Sequence, residues 1–140
     1  MVADAKEVSK VIRGTTIFTA IVGVVLSPIP LADELVFLPT YGVMTARLAR
    51  KHGLPMRSVP WKTVMTTAVA GLAARGAVDL TVAYIPGVAS VANCVSAIAL
   101  TQFLGRYVDG VCNDPASART FSVKEILGTL RKNRDAKPKE

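Results

Sequence analysis

The chain is short of charge, of aromatic rings and of reactive side chains. Only 19% of its 140 residues are charged and 6% are aromatic, where ordinary soluble domains carry roughly 25% charged residues. With 51% hydrophobic residues and a mean hydropathy of +0.40, that shortage leans the composition toward membrane contact. There is one histidine, and there are two cysteines. Cys94 lies in an apolar segment and Cys112 near a loop, a spacing that makes neither a metal site nor a disulfide framework; they read as a buried small hydrophobe and a free thiol. His52 sits among Arg50, Lys51 and Gly53 with no acid–base partner nearby in sequence, which argues against general acid–base work. No Ser–His–Asp set, metal-ligand cluster or G-x-x-x-x-G-K-S/T phosphate loop occurs. Accordingly no catalytic, metal or cofactor residues are assigned, and the chain reads as a non-enzyme.

Two further absences bear on the fold. No segment alternates apolar and polar residues with period two, so the expected class is all-α. Long uninterrupted apolar runs are also missing. Thr15 to Leu26 gives about 12 uncharged residues, about 18 Å of helix, where a bilayer core of ~30 Å needs about 20. Leu35 to Ala46 is equally short, and Leu80 to Leu104 is long enough but broken at Pro86-Gly87.

What breaks the first apolar tract is Ser27-Pro28-Ile29-Pro30-Leu31-Ala32-Asp33-Glu34. Proline removes amide donors and biases its predecessor away from the α region, so this stretch reads as the tip of a helical hairpin. The predicted helices run from about Ala5 to Leu26 and from near Ala32 to Lys51, with Pro39 a kink or a delayed start and Gly53 the C-cap. After a linker at 53–60, a third helix runs from Pro60 or Trp61 to about Ala83, with an irregularity expected at Arg75-Gly76-Ala77. A turn at Ile85-Pro86-Gly87 leads into a fourth helix from Val88 to about Val111. Ser122 and Glu125 have capping-box spacing, which starts a short helix to about Lys132. The charged end from Asp135 reads as disordered. Shifting by 56 residues superposes Ile29 on Ile85, Pro30 on Pro86, Thr45 on Thr101, Leu48 on Leu104 and Arg50 on Arg106. Two αα-hairpins of like build, or coincidence, account for that echo. The expected organisation is a hairpin domain over 1–113, followed by a linker, a short amphipathic helix and a basic tail over 114–140.

The net charge of +7 flanks the apolar segments instead of interrupting them, apart from Arg75. That is how charge sits beside anionic head groups or on a cytoplasmic membrane face. Basic residues are not interleaved with aromatic ones, so nucleic acid is excluded as the expected partner. The mixed-sign N-terminus is unlike a signal peptide, which leaves a cytoplasmic protein or one facing the cytoplasm. The hairpins then either dip into one leaflet or form a soluble bundle with its apolar faces on a partner.

Pro28-Ile29-Pro30-Leu31-Ala32-Asp33, followed by Met44-Thr45-Ala46-Arg47-Leu48-Ala49 and Gly53, resembles domain-of-unknown-function family 697. Ile85-Pro86-Gly87-Val88-Ala89-Ser90 and Leu104-Gly105-Arg106 look like its second turn and closing helix. The chain departs at Leu31, where the family often has glycine, and at Tyr41, where it often has glutamine. The resemblance implies a helical, membrane-predicted module often linked to Era-like GTPases. Here any GTPase would be a separate chain.

The candidate residues follow. Pro28, Pro30, Asp33, Glu34, Pro86 and Gly87 mark the hairpin tips. Asp33 and Glu34 either bind a cation, pair with a partner's arginine, or serve the helix N-terminus. Arg47, Arg50, Lys51, Trp61, Lys62, Arg106 and Tyr107 are lipid-contact candidates, the aromatic pair as rings with basic neighbours or as ordinary core edge. Arg75 and Asp79, four apart, form either a functional intramembrane pair or a helix-face ion pair. Ala70, Gly71, Ala74, Ala89, Ala92, Asn93 and Ser96 make a helix–helix seam, within the subunit or in a homo-oligomer. The expected function is a non-catalytic membrane-associated module, a scaffold or accessory subunit of a larger assembly. Its rivals are a soluble interaction bundle and a holin- or toxin-like permeabilising protein.

Overall fold

A computed structural model describes residues 3–29, 31–82, 84–85 and 87–135. The protein is all-α. Its helices are α1 (Ala5–Val25), α2 (Ala32–Lys51), α3 (Trp61–Val82), α4 (Val88–Asn113) and α5 (Val123–Asp135), with 3-10 turns at Met56–Ser58 and Pro115–Ser117. The expected tip prolines Pro30 and Pro86, and the tail at 136–140, lie outside the described residues.

Local chemistry sets the helix ends. Asp4 accepts a hydrogen bond from the Lys6 amide at 2.9 Å and so caps α1. Leu31 precedes α2 at φ 67°, a left-handed conformation that costs a side-chain-bearing residue about 1–2 kcal/mol. Pro39 stands inside α2; it removes one ladder bond without ending the helix. Gly53, at φ 68°, closes α2 by donating to the Arg50 carbonyl at 3.0 Å. Gly87, at φ 82°, precedes α4. At α5 the Ser122 amide donates to Glu125 Oε2 at 2.8 Å and the Glu125 amide to Ser122 Oγ at 3.3 Å. The Ser122 amide, and the Ser122 hydroxyl donating to the same oxygen at 2.9 Å, hold the Glu125 carboxyl below its ordinary range.

One expectation is corrected. Arg75-Gly76-Ala77 does not interrupt α3, which runs unbroken to Val82. Gly76 serves packing there: a Cβ on it would lie 3.0 Å from Glu34 Oε1.

The four long helices run up, down, up, down. Ser27 and Ser90 share a hydrogen bond of 3.1 Å, so both hairpin tips lie at one end of the bundle. Lys51 donates to Glu7 at 2.8 Å, and His52 meets Asp109 at 2.8 Å, at the opposite end, the base. α1 packs on α2 and α4, α3 packs on α4 and α5, and α2 reaches across to α4. Phe37, Tyr41, Met44 and Leu48 of α2 meet Val64, Ala68 and Leu72 of α3 and Leu100, Leu104 and Val108 of α4 in the core. Small residues bring the helices close. A Cβ on Gly71 would meet Leu100 Cδ1 at 2.5 Å, and one on Gly105 would meet Ile12 Cγ1 and Cγ2 at 2.8 Å. Ile126 of α5 is fully buried. The residues matched by the 56-residue shift take equivalent places: Thr45, Thr101, Leu48 and Leu104 are buried, Arg50 and Arg106 exposed.

Candidate functional site

The outer surface divides along the bundle axis. In the tip half every long helix turns large apolar side chains outward. They are Ile17, Phe18, Ile21, Val24 and Val25 on α1, and Leu35, Leu38 and Val43 on α2. Val69 and Leu80 on α3 and Val88, Val91, Val95 and Ile98 on α4 complete the set. Leu35 is 81% exposed. These residues lie on all four long helices and so form a collar, dense on α1 and α4 and sparse on α3, where Val69 and Leu80 stand eleven residues apart. The contacts Ile12–Gly105, Thr19–Thr101 and Ser27–Ser90 fix the axial register of α1 against α4. In that register the collar starts near Ile17 and Ile98 and reaches the tips. It is about 15–20 Å deep, close to half of a ~30 Å hydrocarbon core.

Several hydroxyls in and beside this half are satisfied within the chain. Thr66 donates to the Lys62 carbonyl at 2.7 Å and Thr81 to the Ala77 carbonyl at 2.8 Å, while Ser27 and Ser90 bond each other. Below the collar the surface changes abruptly. Lys10, Arg13, Arg47, Arg50, Lys51, Lys62 and Arg106 are all exposed there, on all four helices and within about two turns of one another along the axis.

Four charged side chains lie in the tip half, and none is exposed: Asp33, Glu34, Arg75 and Asp79. Arg75 is 0% exposed. Its Nη2 donates to Asp33 Oδ2 at 2.6 Å and to the Asn93 carbonyl at 3.4 Å, and its Nε donates to Ser96 at 3.2 Å. Asp79 lies 3.7 Å from Nη2, and the Arg75 Cζ lies 4.6 Å from the centre of the Phe37 ring, a cation–π contact. The Asn93 amide, with its nitrogen toward Asp79, donates to that carboxylate at 2.6 and 3.0 Å. Among the described residues Glu34 Oε1 and Arg75 Nη1 have no hydrogen-bond partner. One guanidinium thus joins α2, α3 and α4 inside a half in which Asp33 and Arg75 are buried and Glu34 and Asp79 are part-buried. A second polar layer nearer the base links Thr19 to Thr101 at 2.8 Å and Tyr41 to Thr101 at 3.2 Å.

The sequence candidates fall into place unevenly. Pro28 is exposed at the first tip and Gly87 at the second. Asp33 belongs to the Arg75 pair, and Glu34 lies against Gly76. Of the seam residues, Gly71, Ala74, Asn93 and Ser96 are buried between helices of the chain. Arg47, Arg50, Lys51, Lys62 and Arg106 are exposed at the base, whereas Trp61 and Tyr107 are half-buried. Trp61 donates to the Met56 carbonyl at 2.8 Å, and Tyr107 donates to the Arg119 carbonyl at 2.6 Å with its ring edge-on to Phe121. Sequence spacing missed two pairings, Arg75–Asp33 and His52–Asp109, in which the partners lie 42 and 57 residues apart. The one available signal was that Arg75 interrupts an apolar tract.

Cys112 is buried beside Asp109. Burial first, and that carboxylate second, push its thiol up to about 11. At the base, Glu7 accepts from Lys51 and Lys10, which holds its carboxyl down at about 2. Among the described residues no cluster of His, Cys, Asp and Glu has metal-binding geometry. No family model matches the chain, no characterised protein matches it, and no solved structure does. α1 and α4 are each long and apolar enough to cross a membrane by length and composition. The sequence count of Thr15–Leu26 came out shorter because it stopped at the polar first turns of α1.

Proposed function

We propose that the protein is a non-catalytic, membrane-associated helical module. Its tip half enters one leaflet, and its basic base stays among the head groups to present a surface to a protein partner. The apolar collar carries this reading. A docking patch for a protein covers one face of a bundle, whereas apolar exposure on all four helices over one depth is what lipid requires. The depth of the collar matches one leaflet instead of a full span. Pairing of Asp33 and Asp79 with the buried Arg75 draws most of the tip-half charge inward, as intramembrane ionisable groups demand. The basic residues below the collar lie where anionic head groups would meet them, each worth about 1 kcal/mol near a charged surface. Assignment to the cytoplasmic side of a membrane, a role as scaffold or accessory subunit, and kinship with family 697 with its separate GTPase partner belong to the same proposal.

Vesicle flotation with alkaline extraction tests it. The expected result is that the protein floats with anionic vesicles and resists carbonate. Leu35→Glu with Val91→Glu should lose both properties while keeping its helicity in detergent, because both side chains face outward. A protein that stays monomeric in buffer and ignores the vesicles would sink the proposal.

A further inference from the structure

At the base, α1 and α4 enclose a cleft of about 650 Å³, within the range of small-molecule sites. Its floor is the pair His52–Asp109, joined at 2.8 Å, with the imidazole only 2% exposed. Its apolar wall includes Val8 and Ile12, and Arg13 and Arg106 stand on its rim. One turn toward the tips, Gln102 donates to Thr16 at 3.0 Å and closes that end. Among the described residues neither rim guanidinium is paired with a carboxylate. The one acid lining the cleft, Asp109, is already held by His52. The cleft is therefore net positive whichever charge His52 carries.

We infer that this cleft binds a phosphate-bearing anion. The two guanidiniums are the planar forks that suit phosphate oxygens, and a concave site focuses their field more than a flat surface does. The wall of Val8 and Ile12 takes an organic group attached to the phosphate, since the cleft is larger than phosphate alone needs. Ser9 lines the same cleft but forms no hydrogen bond with His52. A lipid head group and a free phosphate compound offer the same chemistry. The site itself does not depend on insertion of the collar.

The only histidine of the chain gives a single ring signal at the floor of the cleft. The full-length protein, ¹⁵N-labelled at histidine in detergent micelles, is titrated with inorganic phosphate at constant pH and ionic strength. In a second arm it is mixed with phosphatidylcholine vesicles with or without phosphatidic acid. A saturable His52 shift in either arm supports the site, and a shift with phosphatidic acid alone identifies a head group as the source. Arg13→Gln/Arg106→Gln should weaken the response at least about tenfold, whereas Arg57→Gln, away from the cleft, leaves it unchanged. Absence of a saturable shift in both arms, or a shift that survives in the double variant, overturns the inference. Neither result bears on flotation, which reports on the collar.

Discussion

The buried guanidinium of Arg75 is the residue on which the tip half depends. Removing it strands Asp33 in an apolar interior, and breaking a buried pair from one side costs about 3–5 kcal/mol, a large part of the usual 5–15 kcal/mol of stability. Arg75→Met should therefore lower the denaturation midpoint in detergent strongly. Adding Asp33→Asn should recover much of the loss, since the stranded charge is what costs most; no recovery would mean that the guanidinium acts through packing on Phe37 instead. In the sequence the one partner offered for Arg75 was Asp79, because helical spacing reports contacts within one helix. Its shorter bond, to Asp33 across the bundle, needs the tertiary fold. Two residues at the base give milder tests. The Cys112 thiol, pushed up to about 11 and buried, should resist maleimide near neutral pH until the chain is unfolded; rapid labelling of the folded protein would contradict that placement. Glu7 has its carboxyl held at about 2, below the ordinary 4.5. Its pairing contribution is thus complete above pH ~4.5 and is lost as pH falls through about 2. The difference in Tm between the wild type and Glu7→Gln should shrink over that interval.

At the scale of the helices, close approach through glycine joins the two hairpins. Gly105→Ala would place a Cβ 2.8 Å from two atoms of Ile12, an overpacking that costs about 1–3 kcal/mol. Gly110→Ala, where nothing lies within 4 Å, should be stable or slightly stabilised. Equal effects of the two substitutions in thermal melts would deny that α1 and α4 meet at Gly105. The helices themselves were legible in the sequence. Proline and glycine punctuation placed the starts of α2 and α4 at Ala32 and Val88, and the Ser122–Glu125 spacing placed α5. The Arg75-Gly76-Ala77 irregularity was misread because a charge and a glycine in an apolar run look like a break. In the folded chain the arginine turns inward to Asp33, and the glycine makes room for Glu34. Helix pairing was less legible. The sequence shows hairpins, but that α1 lies against α4 follows from small-residue contacts between segments about ninety residues apart.

At the scale of the whole molecule, the central feature is the division of the surface into an apolar collar and a basic base. The sequence showed basic residues flanking apolar segments, and helical hairpins turn that one-dimensional order into two axial layers. What it left open was which apolar residues face outward and to what depth, since both core and collar are built from the same Val, Ile and Leu. The most direct measurement is depth-dependent fluorescence quenching by brominated lipids, with single tryptophans placed in a Trp61→Phe background. Leu35→Trp and Val91→Trp should be quenched most by bromine deep in the acyl chains, and Arg50→Trp only near the head groups. In companion cysteine variants, Tyr84→Cys should stay closed to water-soluble thiol reagents added on the opposite side of the vesicle. Equal, weak quenching at all three tryptophan positions, or labelling of the Tyr84→Cys variant from the far side, would contradict insertion into a single leaflet.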